Sequence, residues 1–149
     1  MLDIEIKNFK ELSIQELYAL LQLRSEVFVV EQDCVYQDLD GKDSKAIHII
    51  GKKGNKIVAY TRVFALGDYF PEASIGRVVV KKDQRQYGYG KTIMEASIKA
   101  IEEQLNTKTI RISAQTYLLK FYNSLGFQAE GEEYLEDGIP HVSMVRVQF

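Results

Sequence analysis

Apolar side chains recur along the chain with two periods, one typical of strands and one typical of helices. Alternation over residues 2–6 predicts a short first strand. A helix is predicted to begin at Ser13, because Ser13 and Glu16 have the spacing of a capping box. Leu12 and Leu17 flank this pair at the spacing of a hydrophobic staple, which supports the same start.

One basic residue interrupts the apolar stripe of this helix. Arg24 lies where the 3.6-residue period places another apolar side chain. The next segment, residues 31–45, is polar and rich in turn-forming residues, so it is predicted to be a loop that leads to the first core strand. The apolar positions of the stripe are Leu17, Leu20, Leu21, Val27 and Phe28.

The remaining chain alternates between strand-like and helical patterns. Three β-rich runs at residues 46–50, 57–66 and 74–81 predict an antiparallel meander. The later predicted elements are a helix at 88–105, a strand at 109–113, a helix at 116–125, and strands at 128–135 and 142–147. This order predicts an α/β domain of the α+β kind, with a mixed, mostly antiparallel sheet and helices on both faces.

Composition narrows the class of protein. The 149 residues, 46% of them hydrophobic, fit one domain without linkers or repeats. Nineteen Lys and Arg against 21 Asp and Glu give a net charge of −2, so no nucleic-acid partner is expected. No apolar run approaches the ~18 residues of a membrane span, and the acidic N-terminus does not fit a signal peptide. With the lone Cys34, these features predict a soluble cytoplasmic protein that does not bind membranes.

The acidic residues of the 31–45 loop do not form a calcium-binding sequence. With Gly41 at the sixth place of an EF-hand loop, Tyr36 and Ile47 take the first and twelfth places, where carboxylates are required. Asp38 and Asp40 are therefore expected to belong to a solvated acidic loop, and no metal site is predicted.

A glycine-rich turn between a predicted strand and a predicted helix is the strongest sign of chemistry. Gly88 and Gly90 allow backbone N–H groups to approach an anion at the helix start. A dinucleotide-binding fingerprint needs a third glycine where Ile93 stands, and a P-loop needs glycine where Arg85 stands. Two interpretations of this glycine-rich turn stay open: an ordinary turn before a helix, and a phosphate-binding loop of another type.

The run from Arg85 to Gly90, RQYGYG, resembles the Q/R-x-x-G-x-G/A signature of the GNAT superfamily of acetyl-CoA-dependent N-acetyltransferases. The run FYNSLGF, which begins at Phe121, looks like the FYxxxGF ending of that family. Pieces along nearly the whole chain, among them LRSEVFVVEQDCVYQDLDGKD and EDGIPHVSM, resemble the ElaA-type branch, which consists of small bacterial proteins. The resemblance implies one GNAT domain over residues 1–149 and acetyl-CoA as co-substrate.

The resemblance also implies roles for individual residues. Tyr122 would protonate the departing thiolate, since a phenol of pKa ~10 can hydrogen-bond to a thiolate of pKa ~8.5. The alternative is a packing residue that orients the coenzyme. The implied coenzyme A contacts are the backbone of Val78, Val79, Val80, Arg85, Gln86, Tyr87, Gly88, Tyr89, Gly90 and Lys91, and Gln115, which stands where the family usually carries Asn.

The general base and the acceptor are less defined by the sequence. Glu31, His48 and His141 are the candidate bases, and a water chain or an already neutral amine could also suffice. Candidate acceptor-binding residues are Arg24, Arg62, Arg77 and His141. The three arginines interrupt apolar patterns, so they either pair with acids such as Glu31 or Asp40 or hold a carboxylate or carbonyl of the acceptor.

These features predict an enzyme that transfers acetyl from acetyl-CoA to a primary amine of a small molecule or peptide, by direct attack in a ternary complex and without a metal. One alternative is a non-catalytic acetyl-CoA sensor. Another is an acyltransferase like the acyl-homoserine-lactone synthases, which Arg24, Val27, Phe28, Arg62 and the acidic loop also resemble. The acceptor, the pathway and the choice between monomer and homodimer stay open.

Overall fold

The computed structural model describes residues 1–147, which form one seven-stranded sheet in the order β1-β2-β3-β4-β5-β7-β6. Only the β4 and β5 neighbours are parallel, so the predicted mixed, mostly antiparallel sheet is confirmed. The elements are β1 (Asp3–Asn8), α1 (Ile14–Arg24), β2 (Ile47–Lys53), β3 (Lys56–Phe64), β4 (Ala73–Val80), α2 (Tyr89–Gln104), β5 (Thr109–Gln115), α3 (Leu119–Ser124), β6 (Gln128–Glu136) and β7 (Ile139–Val147).

Helices cover both faces of the sheet. Because successive residues of a strand point to opposite faces, each strand contributes side chains to both helix-covered layers. Ile49 and Ala59 belong to the hydrophobic cluster packed under α2 and α3. Ile50 and Tyr60, their neighbours in sequence, belong to a second cluster under α1. The strands therefore alternate between two apolar layers, as expected for a sheet that is buried on both faces.

The start of α1 is the predicted one, but the last turns before the predicted loop are π-helical rather than α-helical. Ser13 Oγ accepts a hydrogen bond from the Glu16 N–H at 3.0 Å, and Glu16 Oε1 accepts from the Ser13 N–H at 2.9 Å. After Arg24 the chain continues as a π-helical segment, Ser25–Glu31. Such wide turns are frequent at functional sites, and this one ends beside the cavity described below.

A bulge in β4 opens the sheet. Between Tyr60 and Arg62 of β3, two residues of β4, Arg77 and Val78, lie opposite one residue. Arg77 has a φ of +50°, a left-handed conformation that costs an arginine about 1–2 kcal/mol. β4 pairs with β5 only through its first two residues. Beyond them the strands diverge and leave a cleft between the two halves of the sheet.

Element boundaries agree with the predicted ones within a few residues. The largest shifts are three residues: β2 continues to Lys53 rather than residue 50, α3 begins at Leu119 rather than residue 116, and β7 begins at Ile139 rather than residue 142. Helix α3 is preceded by a short 3-10 turn, Thr116–Leu118, and ends before Gly126, as predicted. Among residues 1–147, no helix is long and apolar enough to cross a membrane.

Candidate active site

A cavity of about 550 Å³ lies where β4 and β5 diverge. Its volume is in the range of small-molecule sites. The sequence-predicted site residues that line it are Arg62, Arg77, Val78, Val79, Val80, Arg85, Gly90, Gln115, Tyr122 and His141. The predicted coenzyme contacts Gln86, Tyr87, Gly88, Tyr89 and Lys91 lie outside that lining, although they belong to the turn and helix start beside it.

The start of α2 provides unpaired backbone donors beside the cavity. Gly88, with a φ of +73°, is the N-cap and supplies no side chain. The first intrahelical bond runs from the Thr92 N–H to the Gly88 carbonyl. The N–H groups of Tyr89, Gly90 and Lys91 therefore have no acceptor within the helix. With no acidic residue in the first turn, this helix start favours an anion.

Gly90 leaves space at that helix start. A Cβ added to Gly90 would lie 3.6 Å from Phe121 Cζ and 3.9 Å from Val80 Cγ2, which are ordinary van der Waals distances. The packing of the chain itself does not require glycine at this position. A bare backbone beside unpaired N–H groups fits the close approach of a phosphate-bearing group such as the pyrophosphate of coenzyme A.

Arg85 connects the turn before α2 to two other parts of the wall. Its Nη1 and Nη2 donate to the two carboxylate oxygens of Glu31 at 2.5 and 2.8 Å. Its Nε donates to the Val80 carbonyl at 3.1 Å. The hydrogen bonds from Arg85 lower the pKa of Glu31 below its usual value. Glu31 is thus an ionised partner of Arg85, which makes it a poor general base.

Tyr122 presents its hydroxyl to the cavity from α3. Its ring contacts Phe121 and Phe127 edge-on, with centroid distances of 5.1 and 6.1 Å. Burial raises the pKa of Tyr122 above the ordinary phenol value, so the proton stays on the oxygen. No group within residues 1–147 hydrogen-bonds this hydroxyl. It is therefore a donor available to whatever occupies the cavity.

Most residues of the acidic loop are exposed, but its aspartates are not free in solvent, because they bind the three arginines that interrupt the apolar patterns. Asp38 is 5% exposed. Arg24 Nε donates to Asp38 Oδ2 at 2.8 Å, and Arg24 Nη1 donates to Asp43 Oδ1 at 2.7 Å. We call this group the arginine–aspartate cluster; its members are Arg24, Arg62, Arg77, Asp38, Asp40 and Asp43.

Arg62 and Arg77 complete the cluster. Arg62 donates to Asp40 Oδ2 at 2.5 Å and to Asp43 Oδ1 at 3.0 Å. Arg77 Nε donates to Asp38 Oδ1 at 2.7 Å. The pairing that the sequence left open is therefore present, with Asp38 and Asp43 as partners besides Asp40.

The contacts of Arg24 favour the structural alternative over acceptor binding. It is fully buried and does not reach the cavity. Arg62 and Arg77 do line the cavity, but aspartates already balance their charges. The arginines thus offer an acceptor no excess positive charge.

The cluster stays ionised despite its burial. Burial alone would raise the pKa of Asp40, but the hydrogen bonds and charge of Arg62 hold it well below the usual value. Burial opposes the shift of Asp43 in the same way, and Arg24 is the main cation that lowers its pKa. Three guanidinium groups and three carboxylates make the cluster neutral as a whole.

His48 and His141 lie in different environments. His48 is fully buried outside the cavity lining. Its Nδ1 lies 2.5 Å from the Tyr60 hydroxyl and its Nε2 lies 2.9 Å from the Asp43 carbonyl. Burial lowers the pKa of His48, so it is a neutral structural residue. His141, 5% exposed, does line the cavity.

The fold brings to the same wall several polar residues that no sequence motif indicated. Ser113 of β5, Glu136 of β6 and Asp137 of the following turn line the cavity beside His141. Residues alternate along β5, so Ser113 lies on the sheet face opposite to that of the buried Ile112. This alternation was the sequence signal that could have indicated Ser113. The register between β6 and β7, which brings Glu136 to His141, has no signature in a single sequence.

The fold is that of the acyl-CoA N-acyltransferases, and the chain belongs to the GNAT acetyltransferase family. The family model described as an acetyltransferase (GNAT) domain matches residues 9–147. The chain is 41% identical to protein ElaA of Escherichia coli strain K12 over 148 residues, which cover 98% of this chain and 97% of that protein. The family and branch resemblance seen in the sequence is therefore confirmed.

Solved structures agree with this assignment. The crystal structure of E. coli ElaA matches with a TM-score of 0.91 and 40% identity, over 98% of this chain and 99% of that chain. An acyl-CoA N-acyltransferase from Pseudomonas aeruginosa matches with a TM-score of 0.93 and 40% identity, over 99% and 100% of the two chains.

Two more distant structures share the fold alone. A PaiA N-acetyltransferase from Thermoplasma acidophilum, solved in complex with coenzyme A, matches at 15% identity with a TM-score of 0.72, over 98% of this chain and 99% of that chain. The acyl-homoserine-lactone synthase LasI matches at 13% identity with a TM-score of 0.75, over 97% of this chain and 89% of that one.

Proposed function

We propose that this protein transfers the acetyl group of acetyl-CoA to a primary amine of a small molecule or peptide, by direct attack in a ternary complex. The observation that supports this proposal most is that three features needed for the reaction border one cavity. The diverging β4, the uncapped start of α2 and the free hydroxyl of Tyr122 border the same space. Membership of a family that generally uses acetyl-CoA supports the co-substrate.

Each group of the chain has a distinct role in this proposal. Acetyl-CoA supplies an activated acyl thioester. In β4 the Val80 N–H faces the cleft, because its neighbours Val79 and Lys81 pair with Tyr60 and Val58 of β3. This N–H stabilises negative charge that develops on the carbonyl oxygen, and it needs little rearrangement to do so. The N–H groups at the start of α2 bind phosphate oxygens. Tyr122, kept protonated by its burial, donates its proton to the departing thiolate.

Replacing Gly90 with valine is expected to weaken acetyl-CoA binding by about tenfold or more, because the side chain occupies the space where the phosphate group approaches the backbone. Gly90→Ala should give a smaller loss in the same direction. Isothermal titration calorimetry measures both affinities. The melting temperature should change little, since the added Cβ meets only van der Waals neighbours.

Ala129→Val is the matched control for this prediction, because Ala129 is exposed on β6 and lies outside the cavity lining. It should bind acetyl-CoA as tightly as the unaltered protein. Unchanged affinity in Gly90→Val would place the phosphate elsewhere, and no binding by the unaltered protein would overturn the proposed co-substrate.

Thiol release from acetyl-CoA across an amine panel distinguishes an enzyme from a sensor. The panel contains amino acids, polyamines, aminoglycosides and peptides with free N-termini or lysines. Amine-dependent thiol release supports the transferase, whereas tight acetyl-CoA binding without release by any amine supports a sensor. S-adenosylmethionine, added as one further acceptor, tests the lactone-synthase alternative, for which the similarity to LasI supplies the fold only.

A further inference from the structure

Two hydrogen-bond acceptors face each other in the cavity wall near the start of β7. His141 Nε2 lies 3.4 Å from Glu136 Oε2, and both residues line the cavity. The other ring nitrogen, His141 Nδ1, lies 2.7 Å from the Ile139 carbonyl oxygen. A carbonyl oxygen can only accept, so Nδ1 donates to it, and in the neutral form of the ring this tautomer leaves a lone pair on Nε2.

Neighbouring side chains hold this pair in place. Ser113 Oγ donates to Glu136 Oε1 at 3.1 Å. The hydroxyl of Tyr134 hydrogen-bonds Ser113 Oγ and must be the donor, because the serine proton is already in use. The Tyr134 ring also stacks on His141, with an interplanar angle of 24°. The imidazole and the carboxylate are thus both oriented before any ligand arrives.

The charge at this end of the cavity is negative. Glu136 and Asp137 lie at the β6–β7 turn, and neither pairs with a lysine or arginine in the part of the chain that the structure describes. Arg111 of β5 is occupied by Glu72 and Glu130. The arginine–aspartate cluster on the other wall is balanced. The cavity therefore attracts a cation here and repels a carboxylate.

We propose that the acceptor amine enters as an ammonium ion that donates hydrogen bonds to His141 Nε2 and Glu136 Oε2, and that His141 then takes one proton from it. The inference rests on the proposed function, since it assigns where the acceptor of that reaction becomes nucleophilic. The acceptor class that fits is a primary amine without a carboxylate beside the nitrogen. Glu136 binds the ammonium ion directly and, after the proton transfer, stabilises the imidazolium.

Protons balance in this scheme. One ammonium proton moves to His141 Nε2 and leaves the nitrogen lone pair free to form the N–C bond as the C–S bond breaks. The imidazolium then has N–H groups on both sides, one held by the Ile139 carbonyl and one by Glu136. The second proton lost by the nitrogen is matched by the one that the thiolate gains. One proton is released from His141 to solvent in each turnover.

Pentylamine and norleucine are a matched pair of kinetic probes, since norleucine adds a carboxylate beside the amine. We expect kcat/KM for pentylamine to exceed that for norleucine by about tenfold or more. His141→Gln should lower kcat/KM for pentylamine about 100-fold at pH 7, in the range of general base catalysis. This deficit should shrink as the pH approaches ~10, where solvent itself supplies neutral amine. A deficit that is constant with pH, or a preference for norleucine, would contradict the proposal.

A second variant, Glu136→Gln, tests the charge beside His141, and its choice depends on which groups face the imidazole. They are Tyr134 and Glu136 from β6, Asp137 from the turn, and the uncharged Ser113 and Gln115 from β5. Glu136→Gln should move the acid limb of the pH profile to lower pH, because the charge that stabilises the imidazolium is gone. Glu133→Gln, exposed on the same strand, should leave the profile unchanged. Equal profiles for both variants would remove Glu136 from the proposal.

Nuclear magnetic resonance tests the site without turnover, because the chain has two histidines. Long-range proton–nitrogen spectra should show the Nδ1–H tautomer for His141 and the Nε2–H tautomer for His48, whose Nε2 faces the Asp43 carbonyl. Ethylammonium should shift the His141 Nε2 resonance, whereas tetramethylammonium, which has no N–H donor, should not. Equal shifts would overturn the ammonium site. A selective shift without thiol release from any amine would retain the site and reject the proposed function.

Discussion

Tyr122→Phe is expected to lower kcat by about 10- to 1,000-fold at saturating acetyl-CoA and amine, the range for loss of a general acid. The substitution keeps the ring and its contacts with Phe121 and Phe127 and removes only the hydroxyl. The affinity for acetyl-CoA should change little. Since burial holds the pKa of Tyr122 above the ordinary phenol value, ionisation of this group should not reduce kcat of the unaltered enzyme below about pH 10.

The melting temperature of Tyr122→Phe distinguishes a catalytic role of the hydroxyl from a packing role. The Tyr122 hydroxyl has no hydrogen-bond partner within residues 1–147, so its removal leaves no protein group unpaired and the melting temperature should hold. Tyr18→Phe, a phenol exposed on α1 outside the cavity lining, should retain full kcat. A Tyr122→Phe enzyme with unchanged kcat would leave Tyr122 with a packing role only.

Arg24→Met is expected to reduce the free energy of unfolding by about 3–5 kcal/mol, the usual cost of removing one partner from a buried ion pair. Methionine fills much of the same volume, but Asp38 and Asp43 lose three donors of one guanidinium group. Denaturant unfolding at pH 7 measures the change. Lys99→Met provides the control, because Lys99 is 76% exposed and its ion pair with Glu103 is long, at 3.9 Å; about 0.5 kcal/mol or less is expected.

The loss in Arg24→Met should be smaller in acid. The pKa of Asp43 is held below its usual value in the folded protein. Its contribution to stability is therefore complete above about pH 5 and falls as the pH drops below ~4 toward the folded-state pKa. Adding Asp38→Asn to Arg24→Met should restore part of the stability, because it leaves two guanidinium groups balanced by two carboxylates in the cluster, although Arg77 then loses one charged acceptor. A full-sized loss at pH 3, or no recovery in the double variant, would show that packing rather than charge explains the effect.

Local patterns were sufficient to predict most of the fold. The capping box at Ser13 and the helix after Gly88 depend on neighbours within a few residues, and both elements begin where expected. The cavity lining also includes Gly90 and Tyr122, which the two family motifs indicated. Short-range chemistry and recurring motifs can be recognised without knowing which strands become neighbours.

Long-range pairing is what the sequence could not provide. Arg24 and Asp38 are fourteen positions apart, and Arg77 reaches Asp38 from thirty-nine positions away. Without strand order, three cations on apolar faces are equally compatible with ion pairs and with an acceptor site. The same is true of His141, whose partner Glu136 comes from the neighbouring strand of a hairpin. The structure distinguishes these cases because it shows which charges are already balanced.

The two halves of the sheet are joined through only two paired positions between β4 and β5. The hydrophobic cluster under α2 and α3 instead spans both halves, with Ile49 and Val63 from one side and Ile110 and Met144 from the other. Side-chain packing, rather than the hydrogen-bond ladder, therefore determines the angle at which the halves meet. Core volume becomes a determinant of ligand affinity: a methyl group gained or lost far beneath the cavity can alter its width without changing any residue that lines it.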